Sequence, residues 1–300
     1  MRRHTAAVEK QGRELLASLR PDDKVLVLIT RNYGLSDPVL NMGIPRLLLE
    51  RGHKVITLSH LPAHDLDLSE DYPNLYWPFG QHILSGAKLV AHHPNLYAVY
   101  LTNHGCGPDT MLSYLFRKEM GDKPYLQIEV DEHFSPVGVI TRIEAFLQSL
   151  EGRPAQPLPA GFSLAAVVRR PTAVAAVPER TGGPLLVPDL PPFTAYLRAY
   201  CEAAWKTETR TLRLDSTTLP LGRAETSSKE YLPFPALLGG ILTAAEVESG
   251  PFQVLLPSTQ GAEADGQYPW GVESVLERRG LCRVKVIAPE LETIPERCPE

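Results

Sequence analysis

The stretch "YLTNHGCGPDTMLSYLF" (100–116) puts Cys106 in a Gly-Cys-Gly-Pro turn between an apolar run and an apparent helix. A thiolate at a helix N-terminus faces unpaired N–H groups and the positive end of the helix dipole. That setting stabilises the charged sulfur and favours metal binding or nucleophilic attack. Pro108 suits a first helical turn, and Gly105 and Gly107 let the backbone turn tightly and approach a bound object. The same residue can equally be a small cysteine packed behind its strand, with the glycines serving the turn alone. "DEHFSPVG" (131–138) brings Asp131, Glu132 and His133 together, as a polar or metal site or as a capped loop opening a helix. His92 and His93 in "AHHPN" read as solvated loop residues.

Cys106 is one of four scattered cysteines in 300 residues. That number is too few for a disulfide framework and points to a reducing cytoplasm. Cys201 falls within an expected helix, Cys282 before a strand at the end away from functional loops, and Cys298 in the tail. Each reads as a small apolar residue. Hydrophobic residues make up 43% and charged residues 22%, with a net charge of −5. Without a basic, aromatic-interleaved cluster, nucleic acid is not an expected partner. No run approaches the roughly 18 apolar residues of a membrane span, so a membrane is not expected either. The charged start "MRRHTAAVEKQGRELLASL" is helix-like and lacks the apolar stretch of a signal peptide.

The elements that must position these residues alternate along the chain. Strands are expected at 24–30, 54–58, 97–102 and 125–130, with helices over 38–52 and 137–150. Residues 151–184 carry six prolines and little helical period, and read as a linker with one short strand at most. A second alternation follows, with strands at 184–188, 210–214, 252–257 and 283–288. Its helices are expected at 193–206, 232–246 and 269–280. The pattern predicts an α/β protein of two Rossmann-like domains, 1–150 and 185–300, with mainly parallel sheets. Ligands would gather at the carboxyl ends of strands, by default in an interdomain cleft. No G-x-x-x-x-G-K-[ST] phosphate loop, G-x-S-x-G elbow or H-E-x-x-H helix is present, so ATP chemistry would come from another chain.

Several blocks in order resemble the 2-hydroxyacyl-CoA dehydratase component family, in the branch associated with ATP-dependent CoA-enzyme activases of anaerobic bacteria. They are "RNYGLSDPVLNMGIPRLL" (31–48), "LYWPFGQHIL" (75–84), "NLYAVYLTNHGCGPDT" (95–110) and "KPYLQIEVDEHFSPVGVITRIEAFL" (123–147). "LGRAETSSKEYLPFPALLGGIL" (221–242) and "LLPSTQGAEADGQY" (255–268) continue the likeness. It implies two Rossmann-like domains and a [4Fe–4S] cluster held by three cysteines from three loops. An ATP-dependent activator would inject one electron for ketyl-radical elimination of water from an acyl-CoA thioester. The first ligand position is Cys106. The second holds Tyr231 and the third Glu263, replacing thiolates with hard oxygen donors that suit iron–sulfur clusters poorly.

The resemblance therefore implies an inherited cluster loop without its cluster. No bound cofactor is the expectation, and a [4Fe–4S] cluster is the alternative. Asn103, Asp109, Glu132, His133, Glu230 and Gln267 are the implied polar site residues. A makeshift divalent-metal site of Cys106, Glu230 and Glu263 is a further hypothesis. The expected role is a non-catalytic partner or scaffold subunit, working beside a cluster-bearing homologous chain or an activase. An active dehydratase component with an unusual or shared cluster, and a CoA-thioester or small-molecule binding protein, are the alternatives.

Overall fold

The computed structural model describes residues 2–63, 66, 68, 71–72, 75–131, 135–153, 178, 182–227, 229–258 and 264–289. Glu132, His133, Glu263, Cys298 and most of the expected linker lie outside them. The chain divides into two compact units, Met1–Asp71 with Trp77–Arg169, and Tyr72–Tyr76 with Arg170–Glu300.

The first unit is built on β1 (Val25–Ile29), β2 (Lys54–Thr57), β3 (Leu96–Asn103) and β4 (Leu126–Val130). All pairings are parallel, in the order β2-β1-β3-β4. The residue patterns explain that order. β1, "VLVLI", is buried at every position and β3 at all but its last, as central strands covered on both faces must be. β2 and β4 are buried at only some positions, Lys54 of β2 being exposed, and take the edges.

Helices α1 (Arg2–Ala17), α2 (Asn32–Ser36), α3 (Ile44–Glu50), α4 (Pro78–His92), α5 (Gly107–Met120) and α6 (Pro136–Leu150) complete the unit. Ile44 and Leu48 of α3, with Val139, Ile143, Phe146 and Leu150 of α6, pack on Leu26, Leu28, Val99, Leu101 and Ile128. Each such fully buried side chain contributes about 1.5–3 kcal/mol. α4 packs beside α5. Lys88 of α4 is only 1% exposed and is paired with Asp71 at 2.6 Å and Glu119 at 3.9 Å.

The second unit repeats the order with β5 (Leu185–Pro188), β6 (Thr209–Leu212), β7 (Phe252–Leu255) and β8 (Val284–Ile287), as β6-β5-β7-β8, all parallel. Again the central pair is buried throughout and the edge strands are not. Its helices are α7 (Phe193–Trp205), α8 (Leu219–Glu225), α9 (Pro233–Val247) and α10 (Tyr268–Arg278). Cys201 is wholly buried among Leu185, Val187, Leu255 and Ile287, and burial pushes its thiol up to about 11. Cys282 is exposed.

Two expectations need correction. Residues 38–52 do not form one helix. The Asp37 carboxylate accepts the N–H groups of Val39 and Leu40 at 2.8 and 3.1 Å, a turn that competes with helical pairing. Met42 and Gly43 follow at φ 56° and 62°, so the helix starts only at Ile44. His93 is not solvated either. It is buried at the C-cap of α4, where Lys123 donates to its carbonyl and to that of Val90. Burial, aided by the charge of Lys123, lowers the His93 imidazole to about 4. His92 is exposed on the last turn of α4, its Nδ1 2.8 Å from the Lys88 carbonyl.

α8 and α9 meet backbone to backbone. A Cβ on Gly222 would lie 1.8 Å from the Pro235 carbonyl oxygen, and one on Gly239 2.2 Å from that of Thr218. Gly222→Ala should therefore lower stability by about 1–3 kcal/mol, read as a fall in the urea midpoint at unchanged slope. Because the folded His93 has a depressed pKa, the unfolded chain takes up a proton first as pH falls. Stability should drop as pH is lowered from 6.5 towards about 4, and urea titrations of His93→Asn across that window should show a shallower drop.

Candidate functional site

In a sheet ordered 2-1-3-4, the chain leaves the first and third strands toward opposite faces, opening a crevice at their carboxyl ends. In the first unit, this switch point joins the segment after β1 to the turn after β3. Gly105, at φ 67°, makes the turn. Cys106 is the N-cap residue of α5 in extended backbone (φ −82°, ψ 118°), Pro108 lies in the first helical turn, and Asp109 is the acidic residue of that turn.

Asp109 organises the site. Its carboxylate is 3% exposed and accepts four hydrogen bonds. Oδ1 takes Arg31 Nε at 3.1 Å and Nη2 at 2.7 Å; Oδ2 takes the Asn103 backbone N–H and Nδ2, each at 2.9 Å. Arg31 Nη2 also donates to Cys106 Sγ at 2.8 Å, and the guanidinium lies 4.2 Å from the Phe79 ring centroid. Asn103 Nδ2 also donates to the Tyr33 hydroxyl at 3.0 Å. Burial opposes the charge of Arg31, but the hydrogen bond and charge of Asp109 outweigh it, holding the guanidinium above its ordinary pKa. Behind the site, Tyr100 is fully buried and stacked on Phe116 at 4.2 Å. Burial raises its phenol well above the usual range.

Asn103, Cys106 and Asp109 are thus neighbours in one network. Its other members, Arg31, Tyr33 and Phe79, are not among the residues singled out from sequence. The available signal was topological: Arg31 leaves β1 as Cys106 leaves β3, so the strand order that brings β1 beside β3 brings the two residues together. Beside this network, His104 Nδ1 is 3.1 Å from Glu129 Oε1 on the neighbouring strand.

The second unit holds Glu230, Tyr231 and Gln267. Glu230 is buried and turned back on its own loop, accepting from the Ser227 N–H and hydroxyl and from the Lys229 N–H at 2.9–3.2 Å. Tyr231 is 43% exposed, and Gln267 is buried in the short 264–267 turn before α10. Cys106 belongs to the first unit and Tyr231 to the second. Among the described residues, no three His, Cys, Asp or Glu side chains converge as a metal-binding group. Of the described residues that the resemblance singles out, Cys106 alone carries a thiol, whereas iron–sulfur clusters are held by several thiolates.

The second unit's switch point is different in kind. There a groove of about 900 Å³ opens between α7 and α9, over the ends of β5 and β7. Phe193, Tyr196, Leu197 and Tyr200 line it from α7 at helical spacing, facing Leu232 and Leu237.

Removing the Asp109 carboxylate leaves Arg31 partly buried without its counter-ion. Asp109→Ala should cost about 3–5 kcal/mol in denaturant unfolding. Cys106→Ser, which keeps an acceptor beside Arg31, should cost less than about 1 kcal/mol.

Residues 1–61 match the family model described as the CoA enzyme activase uncharacterised domain. No curated protein and no solved structure matches the chain. The matched stretch runs from α1 through β2 and carries Arg31 and Tyr33, so this part of the first unit is similar to the CoA enzyme activase uncharacterised domain.

Proposed function

We propose that the protein is a cluster-free relative of the 2-hydroxyacyl-CoA dehydratase and CoA-activase-associated proteins, acting as a non-catalytic partner or scaffold subunit. The observation that carries this reading is how the two described cysteine-type loops are held. Asp109 pins the first through Asn103 and Arg31, and Glu230 pins the second through its own N–H groups. A loop ordered by its own carboxylate does not need a metal to fold, in contrast to sites whose folding is coupled to metal binding. The partner is another protein chain, either a cluster-bearing homologous subunit or an ATP-dependent activase. The match over residues 1–61 supports that association. The chain's own sequence has no G-x-x-x-x-G-K-[ST] phosphate loop, so the nucleotide chemistry belongs to that partner.

A second reading, a dehydratase component sharing a [4Fe–4S] cluster with another chain, is favoured by Cys106 itself. It stands at the N-terminus of a fourteen-residue helix, beside a cation, at a switch point.

Anaerobic purification without an affinity tag, followed by iron and acid-labile sulfide assay, separates the two. The expected result is no stoichiometric iron. About four irons per chain, with charge-transfer absorbance, would replace the first reading by the second. With the activase co-expressed, Cys106→Ser should leave co-purification unchanged.

A further inference from the structure

The groove between α7 and α9 has a chemistry unlike that of the Arg31–Asp109 site. Apart from Asp189 and Asp265, every described residue that lines it is aromatic, leucine, alanine or proline. Both carboxylates are engaged within the protein. Asp189 Oδ1 accepts from the Thr194 hydroxyl at 3.3 Å, and Asp265 Oδ1 from the Gly266 N–H at 3.0 Å. The aromatic side chains of the lining fall into two kinds. Tyr200 meets Trp205 edge-on with centroids 5.8 Å apart, and Tyr268 meets Phe234 at 5.3 Å in a tilted pair. Phe193 and Tyr196, on successive turns of α7, are instead 63% and 74% exposed.

Position and size are those of a small-molecule site. Such sites lie at switch points of α/β sheets, span about 300–1,000 Å³ and are walled mainly by apolar and aromatic side chains. A volume of about 900 Å³ exceeds what a single ring fills and suits a compound of several. The lining selects its charge. Taking a charged head group out of water between apolar walls is costly, whereas an uncharged apolar group gains in proportion to the area it buries. The rings select the rest. Aromatic pairs favour offset or edge-on contacts with centroids about 4.5–7 Å apart, and gain more than burial alone supplies. Tyr200 and Tyr268 already hold that geometry against protein rings. Phe193 and Tyr196 offer two more rings to a guest.

We propose that this groove binds an uncharged aromatic compound of about three or four fused rings, seated between Phe193 and Tyr196 on one wall and Leu232 and Leu237 on the other. Such a guest carries neither a carboxylate nor a phosphate, and it covers the two rings that stand exposed on α7. The inference is independent of the partner-subunit reading, because it concerns ligand binding and not iron content or co-purification.

The test is fluorescence titration of the full chain with 1-pyrenemethanol, beside 1-pyrenecarboxylate and 1-pyrenemethylammonium as matched anionic and cationic forms. The uncharged form should bind saturably, one per chain, at least about tenfold more tightly than either charged form. Androstanol, a saturated four-ring alcohol, should compete at least about threefold less well than pyrenemethanol, because it lacks the ring contacts. Tyr196→Leu keeps an apolar side chain but removes a ring. It should weaken pyrenemethanol binding by about threefold or more while the affinity for androstanol stays the same. Tyr196 is already exposed, so the melting temperature should not move; Phe193→Leu carries the same expectation and keeps the outcome readable if the first variant misfolds. Tighter or equal binding of either charged form, equal binding of androstanol, or no saturable pyrenemethanol binding would overturn the proposal. So would self-association in sedimentation that Tyr196→Leu abolishes, because a second copy would then fill the groove.

Discussion

One carboxylate holds the first unit's carboxyl edge together. Asp109 reaches from α5 to the end of β1 through Arg31 and to the end of β3 through Asn103. It converts two strand ends and a helix start, far apart in sequence, into one fixed corner. Its burial is tolerable because all four contacts are hydrogen bonds and two come from a cation. Cys106 inherits its position from this arrangement: its sulfur rests on a guanidinium whose place is already set.

The two units show how the same strand order supports different chemistry. Both sheets run 2-1-3-4 in their own numbering, both bury the central pair, and both open a crevice between the first and third strands. In one crevice the residues are ionic and mutually satisfied. In the other they are aromatic and aliphatic, with carboxylates at the margin. Fold alone therefore says where chemistry can sit, and the side chains at each edge say what it is.

Much of the architecture was legible because its signals are local. "VLVLI" and "LLVP" are short apolar runs of the kind a doubly covered strand carries, and their alternation with helical spacing argues for a parallel sheet. The turn at Cys106 was legible for the same reason, since Gly105 and Pro108 act within a few residues. The helix expected over 38–52 failed where a side chain, Asp37, took backbone donors that periodicity assigns to the helix. His93 was misread because neighbours in sequence do not reveal that Lys123 closes over it from another element. Arg31 was passed over as a site residue because its hydrogen-bond partners lie more than seventy positions away, and only the β1–β3 pairing makes them adjacent.

The close seating of α8 on α9 gives the groove two unlike walls. Gly222 and Gly239 bring main chain against main chain, and main-chain atoms cannot move aside as a rotamer can. The first turns of α9, with Leu232, Ala236 and Leu237, therefore form a rigid template. Opposite them, Phe193 and Tyr196 stand exposed on α7. The width of the groove is thus set by the glycine-locked wall, while its aromatic wall is the one that a change of side-chain rotamer can reshape.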